Sequence, residues 1–182
     1  PAVIASLSGP KFSVVLELAP DNPLQLVPQD VFDAYIALEP GAGLTPPIYS
    51  FPRPLSGEPR TDVCSVRDVP VIGSFGFATP GKGFESIVEV ANAEFDRAIV
   101  RVNIPPGDFI GTDVIHGCDY ARHLEAMCKR IAKPGIDVRF SYDFMTTDQL
   151  IDWCGENDRN CFMYSRCQPG LSATTDQAII SG

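Results

Sequence analysis

Positive charge is scarce in this chain: 14 lysines and arginines face 23 aspartates and glutamates, leaving a net charge of −9. Nonspecific nucleic-acid binding needs a broad basic field, so no nucleic-acid partner is expected and any anionic ligand must be held by local groups. Nowhere does the chain approach the ~18–20 consecutive apolar residues of a membrane-spanning helix, and no basic region precedes its first apolar stretch. No transmembrane segment is expected. The six cysteines, Cys64, Cys118, Cys128, Cys154, Cys161 and Cys167, form neither a CxxC pair nor the dense framework of a small secreted domain. Reduced thiols that pack as small apolar side chains, in a cytoplasmic protein, are the expectation. A G-x-S-x-G elbow is missing too, which removes the hydrolase chemistry built on it.

Metal-ligating patterns are equally thin. In HGCDYARH, Asp119 and His123 lie four apart on an expected helix, with His116 and Cys118 nearby. A single cluster of mixed spacing is commonly a helix start with a surface histidine, so no metal site is expected. The acidic run Asp148, Asp152, Glu156 and Asp158 reads as a solvated helix face.

What is present is ordinary globular material: 182 residues, 45% hydrophobic and 20% charged, enough for one sizeable core or for a domain plus a fragment of another. Up to about Pro70 the sequence is rich in proline and turn residues. Two apolar runs of strand length stand out there, Phe12 to Ala19 and Ala34 to Pro40, with an irregular Asp21 to Asp30 between them. Gly41 to Arg60, with five prolines, reads as an extended linker.

From Asp68 the pattern becomes an alternation of strands and helices. Strands are expected over Val69–Phe75, Ala98–Ile104, Ile136–Tyr142 and Cys161–Ser165. Helices are expected over Lys82–Phe95, Cys118–Ala132 (stopped by Pro134-Gly135) and Thr147–Asn157 (capped by Thr146 or Thr147), with a last one from near Leu171 into Ile180. Such alternation implies an α/β, Rossmann-like parallel sheet with helices on both faces. The domain division placed on this pattern is 1–68 and 69–182. Because a helix ending in glycine normally leads into another strand in such a fold, the chain is expected to be truncated at Gly182.

The stretch around which the rest is organised is Val71 to Glu89, VIGSFGFATPGKGFESIVE. A short strand runs into a glycine-rich loop and then a helix. Gly73, Gly76, Gly81 and Gly83 allow close backbone approach, free amides at the helix start favour an anion, and Lys82 adds a mobile positive charge. An ordinary βα turn whose glycines serve geometry alone remains the alternative at this point. GFATPGKG also nearly matches the P-loop pattern, but Gly83 replaces the hydroxyl that would hold Mg²⁺, and the next strand, AIVRVNI, lacks a terminal aspartate. An NTPase is therefore a distant third reading.

With these motifs placed, Val71 to Gly182 resembles the C-terminal, nucleotide-sugar-binding domain of GT-B glycosyltransferases. IGSFGFATPGKGFE looks like the family's first strand and loop, IDVRFSYDFMTTDQLIDWCGENDRNCFMYS its later strand–loop–strand segment, and PGLSATTDQAIISG its donor-gripping helix. The resemblance implies that residues before Val69 are the remnant of a second α/β domain, the acceptor half, plus its connection. It implies transfer of a sugar from a nucleoside-diphosphate donor to an unknown acceptor, with no metal and no further cofactor, by a fragment inactive alone and open to dimerisation through an exposed sheet edge. Lys82 matches the family's diphosphate lysine and Gly76 and Gly83 its loop glycines. Gln177 falls where a glutamate usually contacts the ribose. Phe77 replaces an arginine and Pro169 replaces a glutamate near the transferred sugar; Asp176, one position before Gln177, is the acid that compensates if the register slips by one. Catalytic residues are left unassigned. Tyr142 and Phe144 are candidates to stack on the base, Tyr142 the preferred of the two. The alternative reading is a noncatalytic nucleotide- or partner-binding domain, a degenerate transferase.

Overall fold

In the computed structural model the described residues are 4, 6–15, 31–38, 47–52, 54–55, 57–61, 67–106, 117–162 and 173–182. Two compact units emerge: described residues up to Leu55 belong to the first and those from Gly57 onward to the second.

The first unit carries strands β1 (Phe12–Val15), β2 (Ala34–Ala37) and β3 (Ile48–Ser50), which pair in that order, all parallel. Strand β3 corrects the expectation that Gly41 to Arg60 is linker throughout. Proline lacks an N–H but keeps its carbonyl, and the Pro47 carbonyl accepts from the Tyr35 amide at 2.9 Å. Phe51 extends the ladder on the other side, its amide donating to the Ala37 carbonyl at 2.9 Å.

The second unit alternates β4 (Val71–Phe75), α1 (Phe84–Glu94), β5 (Ala98–Asn103), α2 (Gly117–Ile131), β6 (Ile136–Ser141), α3 (Thr147–Gly155), β7 (Arg159–Asn160) and α4 (Ala173–Ser181). Its four strands are parallel in the spatial order β6-β5-β4-β7. The chain walks outward from β4 through β5 to β6, then returns to the far side of β4. Right-handed crossovers in opposite directions put helices on opposite faces. Packing shows this arrangement. Ile72, Val100, Val102, Ile136 and Val138 meet Phe84, Ile87 and Val88 of α1 and Leu124 and Cys128 of α2, whereas Phe75 meets Trp153 and Cys154 of α3. Val100 and Val102 are two apart, so both point to the α1–α2 side, and their burial contributes roughly 1.5–3 kcal/mol each. The α/β, Rossmann-like parallel sheet expected from the alternation is thus observed. Helix α4 packs on α3.

Local chemistry sets the helix ends. Asn92 of α1 receives the end of α2, its side chain donating to the Ile131 carbonyl at 2.8 Å and accepting from the Lys133 amide at 3.0 Å. Gly135 turns the chain into β6 at φ 99°, where a Cβ would lie 2.2 Å from the Asp96 carbonyl oxygen. Helix α3 opens with a capping box: the Gln149 amide donates to Thr146 Oγ1 at 3.3 Å and the Thr146 amide to Gln149 Oε1 at 2.9 Å. Thr146→Ala removes one of these bonds and should lower stability by about 1 kcal/mol, read as a shift in the urea midpoint at unchanged slope.

The last strand departs from expectation. Pairing with β4 falls on Arg159–Asn160, two positions before the apolar run Cys161–Ser165, of which residues 163–165 lie outside the described residues. Polar side chains decide this register. Asn157 donates to the Trp153 carbonyl and to Asn160 Oδ1, Asn160 donates to the Cys154 carbonyl, and Asp158 accepts from the Val71 amide at 2.6 Å. Cys161 continues the ladder through its amide to the Gly73 carbonyl at 2.8 Å. No helix among the described residues is long and apolar enough to cross a membrane.

Candidate functional site

Strand order reverses between β4 and β7, since β5 and β6 lie on one side of β4 and β7 on the other. In open α/β sheets ligands bind outside the carboxyl ends of the strands at such a switch point. Phe75 ends β4 there, and the chain continues as the loop 76–83.

Two amides hold the loop against β5. Gly76 donates to the Asn103 carbonyl at 3.1 Å and Ala78 to the Pro105 carbonyl at 3.3 Å, with Ala78 buried. Positive φ is used three times, 147° at Gly76, 79° at Gly81 and 68° at Gly83. Left-handed Gly83 is the N-cap of α1 and has no side chain to offer. The Ser86 and Ile87 amides bond back to the Gly83 carbonyl at 3.1 and 3.3 Å. Those of Phe84 and Glu85 have no hydrogen-bond partner among the described residues. Half-buried Lys82 makes no ion pair among the described residues. A glycine-capped helix start, unfilled by side chains and flanked by one cation, is chemically a cradle for a phosphate or carboxylate. Glu85 sits in the first turn of α1, and its charge helps to raise the Tyr120 phenol and the Cys128 thiol.

The residue that organises this edge was not singled out from sequence. Asn103, the polar end of an apolar strand, is only 2% exposed. Its Oδ1 accepts from Ser141 Oγ at 2.9 Å and from the Asp143 amide at 3.2 Å, and its Nδ2 donates to the Asp143 carbonyl at 3.1 Å. Together with its main-chain bond to Gly76, it ties the β4–α1 loop and the β6–α3 loop to one point. A hydrophilic residue closing a buried strand was the available signal, because a buried amide has to be satisfied.

The structure brings Gly76, Lys82 and Gly83 together in one loop, and it places the other candidates differently. Tyr142 lies at the end of β6, half-buried against the α1–α2 core, and its hydroxyl donates to the Glu125 carboxylate. Burial first, then that hydrogen bond, push the phenol above its ordinary range. Glu125 is held below the usual carboxylate range by hydrogen bonds from Lys129 and from Tyr142. Among the described residues, the rings exposed at the carboxyl edge are instead Phe77, 42% exposed, and Phe144, 69% exposed. Gln177 lies midway along α4, half-buried, on the helix that packs against α3, and Asp176 precedes it in the first turn. Pro169, Cys64, Cys167 and His116 lie outside the described residues.

Arg101, opposite Gly73 in the ladder, stacks over Trp153 at 4.8 Å and bonds to Asn157 and Glu156 at 3.1 and 3.0 Å. This cluster fixes α3 to the sheet and lies on strand positions before the carboxyl edge. Cys128 and Cys154 are buried free thiols, each pushed up to about 12 chiefly by desolvation, and Cys161 is a half-buried one. No group of three His, Cys, Asp or Glu that could hold a metal ion occurs among the described residues.

Comparison with known proteins gives no match to a protein family, to a curated protein or to a solved structure.

Proposed function

We propose that the second unit binds the diphosphate of a nucleotide, and that in its full context it is the donor half of a glycosyltransferase, transferring a sugar from a nucleoside-diphosphate sugar to an unknown acceptor. One observation carries the binding reading: the glycine-capped start of α1, with Lys82 beside it, stands at the switch point between β4 and β7 with two amides unpaired among the described residues. The step to sugar transfer rests on the resemblance of Val71 to Gly182 to the donor-binding domain of that family.

In this scheme the Phe84 and Glu85 amides and the Lys82 ammonium stabilise negative charge on the departing diphosphate, where charge grows most as the sugar bond breaks. The chemistry asks for no metal and no cofactor beyond the donor. Gln177, a donor and an acceptor at once, would meet a ribose hydroxyl. Phe77 stands where the family carries an arginine, so Lys82 bears the phosphate charge alone in this loop.

Titration calorimetry with UDP, GDP and ADP tests the proposal. One diphosphate should bind without magnesium, and Lys82→Ala should weaken it about tenfold or more, the loss of one charge-assisted contact. Absence of binding to all three sinks the reading. Binding without sugar transfer or donor hydrolysis by the full-length gene product would favour the alternative, a noncatalytic nucleotide-binding domain. The replacements at Phe77 and Pro169 are what favour that second reading.

A further inference from the structure

We infer that Phe77 and Phe144 form a stacking platform for the base of a nucleoside diphosphate, an inference that rests on the loop 76–83 holding the phosphates. The rings come from two separate loops and meet with centroids 6.2 Å apart at a tilt of 54°. A single exposed phenylalanine is unremarkable in a folded protein, whereas contiguous exposed apolar surface beside a polar cradle marks a binding site. Phe144 has little protein over it, and Phe77 braces its side, so the open face of Phe144 is offered to water.

Two features hold the backbone beside each ring. Phe77 lies between Gly76 and Ala78, whose amides are both bonded to the β5 side, and the Thr79 amide closes onto the Phe77 carbonyl at 2.7 Å. Phe144 follows Asp143, whose amide and carbonyl are both held by the Asn103 side chain. One buried asparagine thereby fixes the backbone next to each ring. A ring whose backbone is already held loses less entropy when a flat ligand covers it, and base–aromatic stacking is tolerant of base identity because every base has a π-face. Phe77 also belongs to the phosphate loop itself. A ligand with a flat ring at one end and a diphosphate at the other fits both features. The phosphates would lie toward Gly83 and the base toward the end of β6.

The decisive experiment measures the affinities of inorganic pyrophosphate, UDP, GDP and ADP for the whole chain, for Phe144→Ala, Phe77→Ala and Phe144→Tyr, and for Lys82→Ala. Both rings are substantially exposed, so the variants should fold as the parent does, which a thermal melt confirms. At least one nucleotide should bind about tenfold or more tighter than pyrophosphate, and Phe144→Ala should remove most of that advantage, leaving pyrophosphate binding unchanged. Phe144→Tyr should retain it. Pyrophosphate binding that depends on Lys82, with nucleotides no tighter or indifferent to both phenylalanines, overturns the platform and leaves the phosphate loop standing. Nucleotide binding that depends on Phe144 but not on Lys82, with pyrophosphate unbound, keeps the platform and overturns the loop. Silence from all four ligands overturns both.

Discussion

Gly73→Ala should destabilise the second unit by about 3 kcal/mol or more, and so weaken the ligand binding proposed for the loop that follows β4. The cause is a neighbour. A Cβ at Gly73 would lie 2.0 Å from Asn157 Nδ2, 2.5 Å from Asn157 Cγ and 2.9 Å from Asn160 Oδ1. Asn157 cannot step aside at little cost, because it is buried and bonded to Trp153, Asn160 and Arg101. Turning it away would leave the Trp153 carbonyl without its partner, worth ~1–3 kcal/mol, and would take one contact from the half-buried Arg101 guanidinium. The usual gain from Gly→Ala, a stiffer unfolded chain, is about 0.4–1 kcal/mol and is outweighed.

The same seam joins β7 to β4, so its loss opens the switch point at which the loop 76–83 stands. Urea unfolding monitored at Trp153, the only tryptophan in the chain and one that packs on Phe75, reads the effect directly. Asn157→Ala in the Gly73→Ala background tests the mechanism. If the asparagine is the obstacle, the double variant loses clearly less than the sum of the singles; strict additivity would place the strain elsewhere.

The strand–helix alternation after Asp68 was legible because each element has its own period and stop signal. Thr146 and Gln149 announce the start of α3 three residues apart, and Pro134-Gly135 ends α2. Glycines marked the β4–α1 loop, since a residue without Cβ most readily adopts the positive φ found at Gly81 and Gly83. Elements whose logic is nonlocal were hidden. Strand β3 sits among prolines and uses the Pro47 carbonyl, a group that sequence reading discounts together with the missing N–H. Strand β7 is set by side chains that reach a strand far back in the chain, so the apolar run after it misled. Tyr142 and Phe144 are two apart and look alike in sequence. Only the Glu125 carboxylate, brought in by α2, decides which one is tied down and which stands open. Asn103 was missed for the same reason: its partners are 38 and 40 residues away.

Alkaline pH should destabilise this protein steeply, and the buried thiols set the window. Cys128, on α2, lies in the core on one face of the sheet, and Cys154, on α3, lies in the cluster with Phe75 and Trp153 on the other. Both are fully buried, and desolvation moves each from 9.0 to about 12. A folded-state value above the unfolded one means that the native protein holds its proton longer. The stability this contributes is complete below pH 9 and is lost as pH rises from 9 to 12. Each unit of that interval costs ~1.4 kcal/mol per thiol, so by pH 11 the pair costs on the order of 5 kcal/mol. That approaches the whole stability of a domain of this kind, ~5–15 kcal/mol. Tyr120 and Tyr142, also raised, act with the same sign above pH 10. Denaturant midpoints measured between pH 8 and pH 11 give the slope. Cys128→Ala with Cys154→Ala should lower stability at pH 8 through lost packing, yet flatten the decline above pH 9. A decline as steep as the parent's would remove the thiols as its cause and leave the tyrosines to account for it. The two thiols lie in separate clusters on opposite faces of one sheet, so they titrate independently, each contributes one proton to the linkage, and either single replacement should recover about half of the slope that the pair supplies.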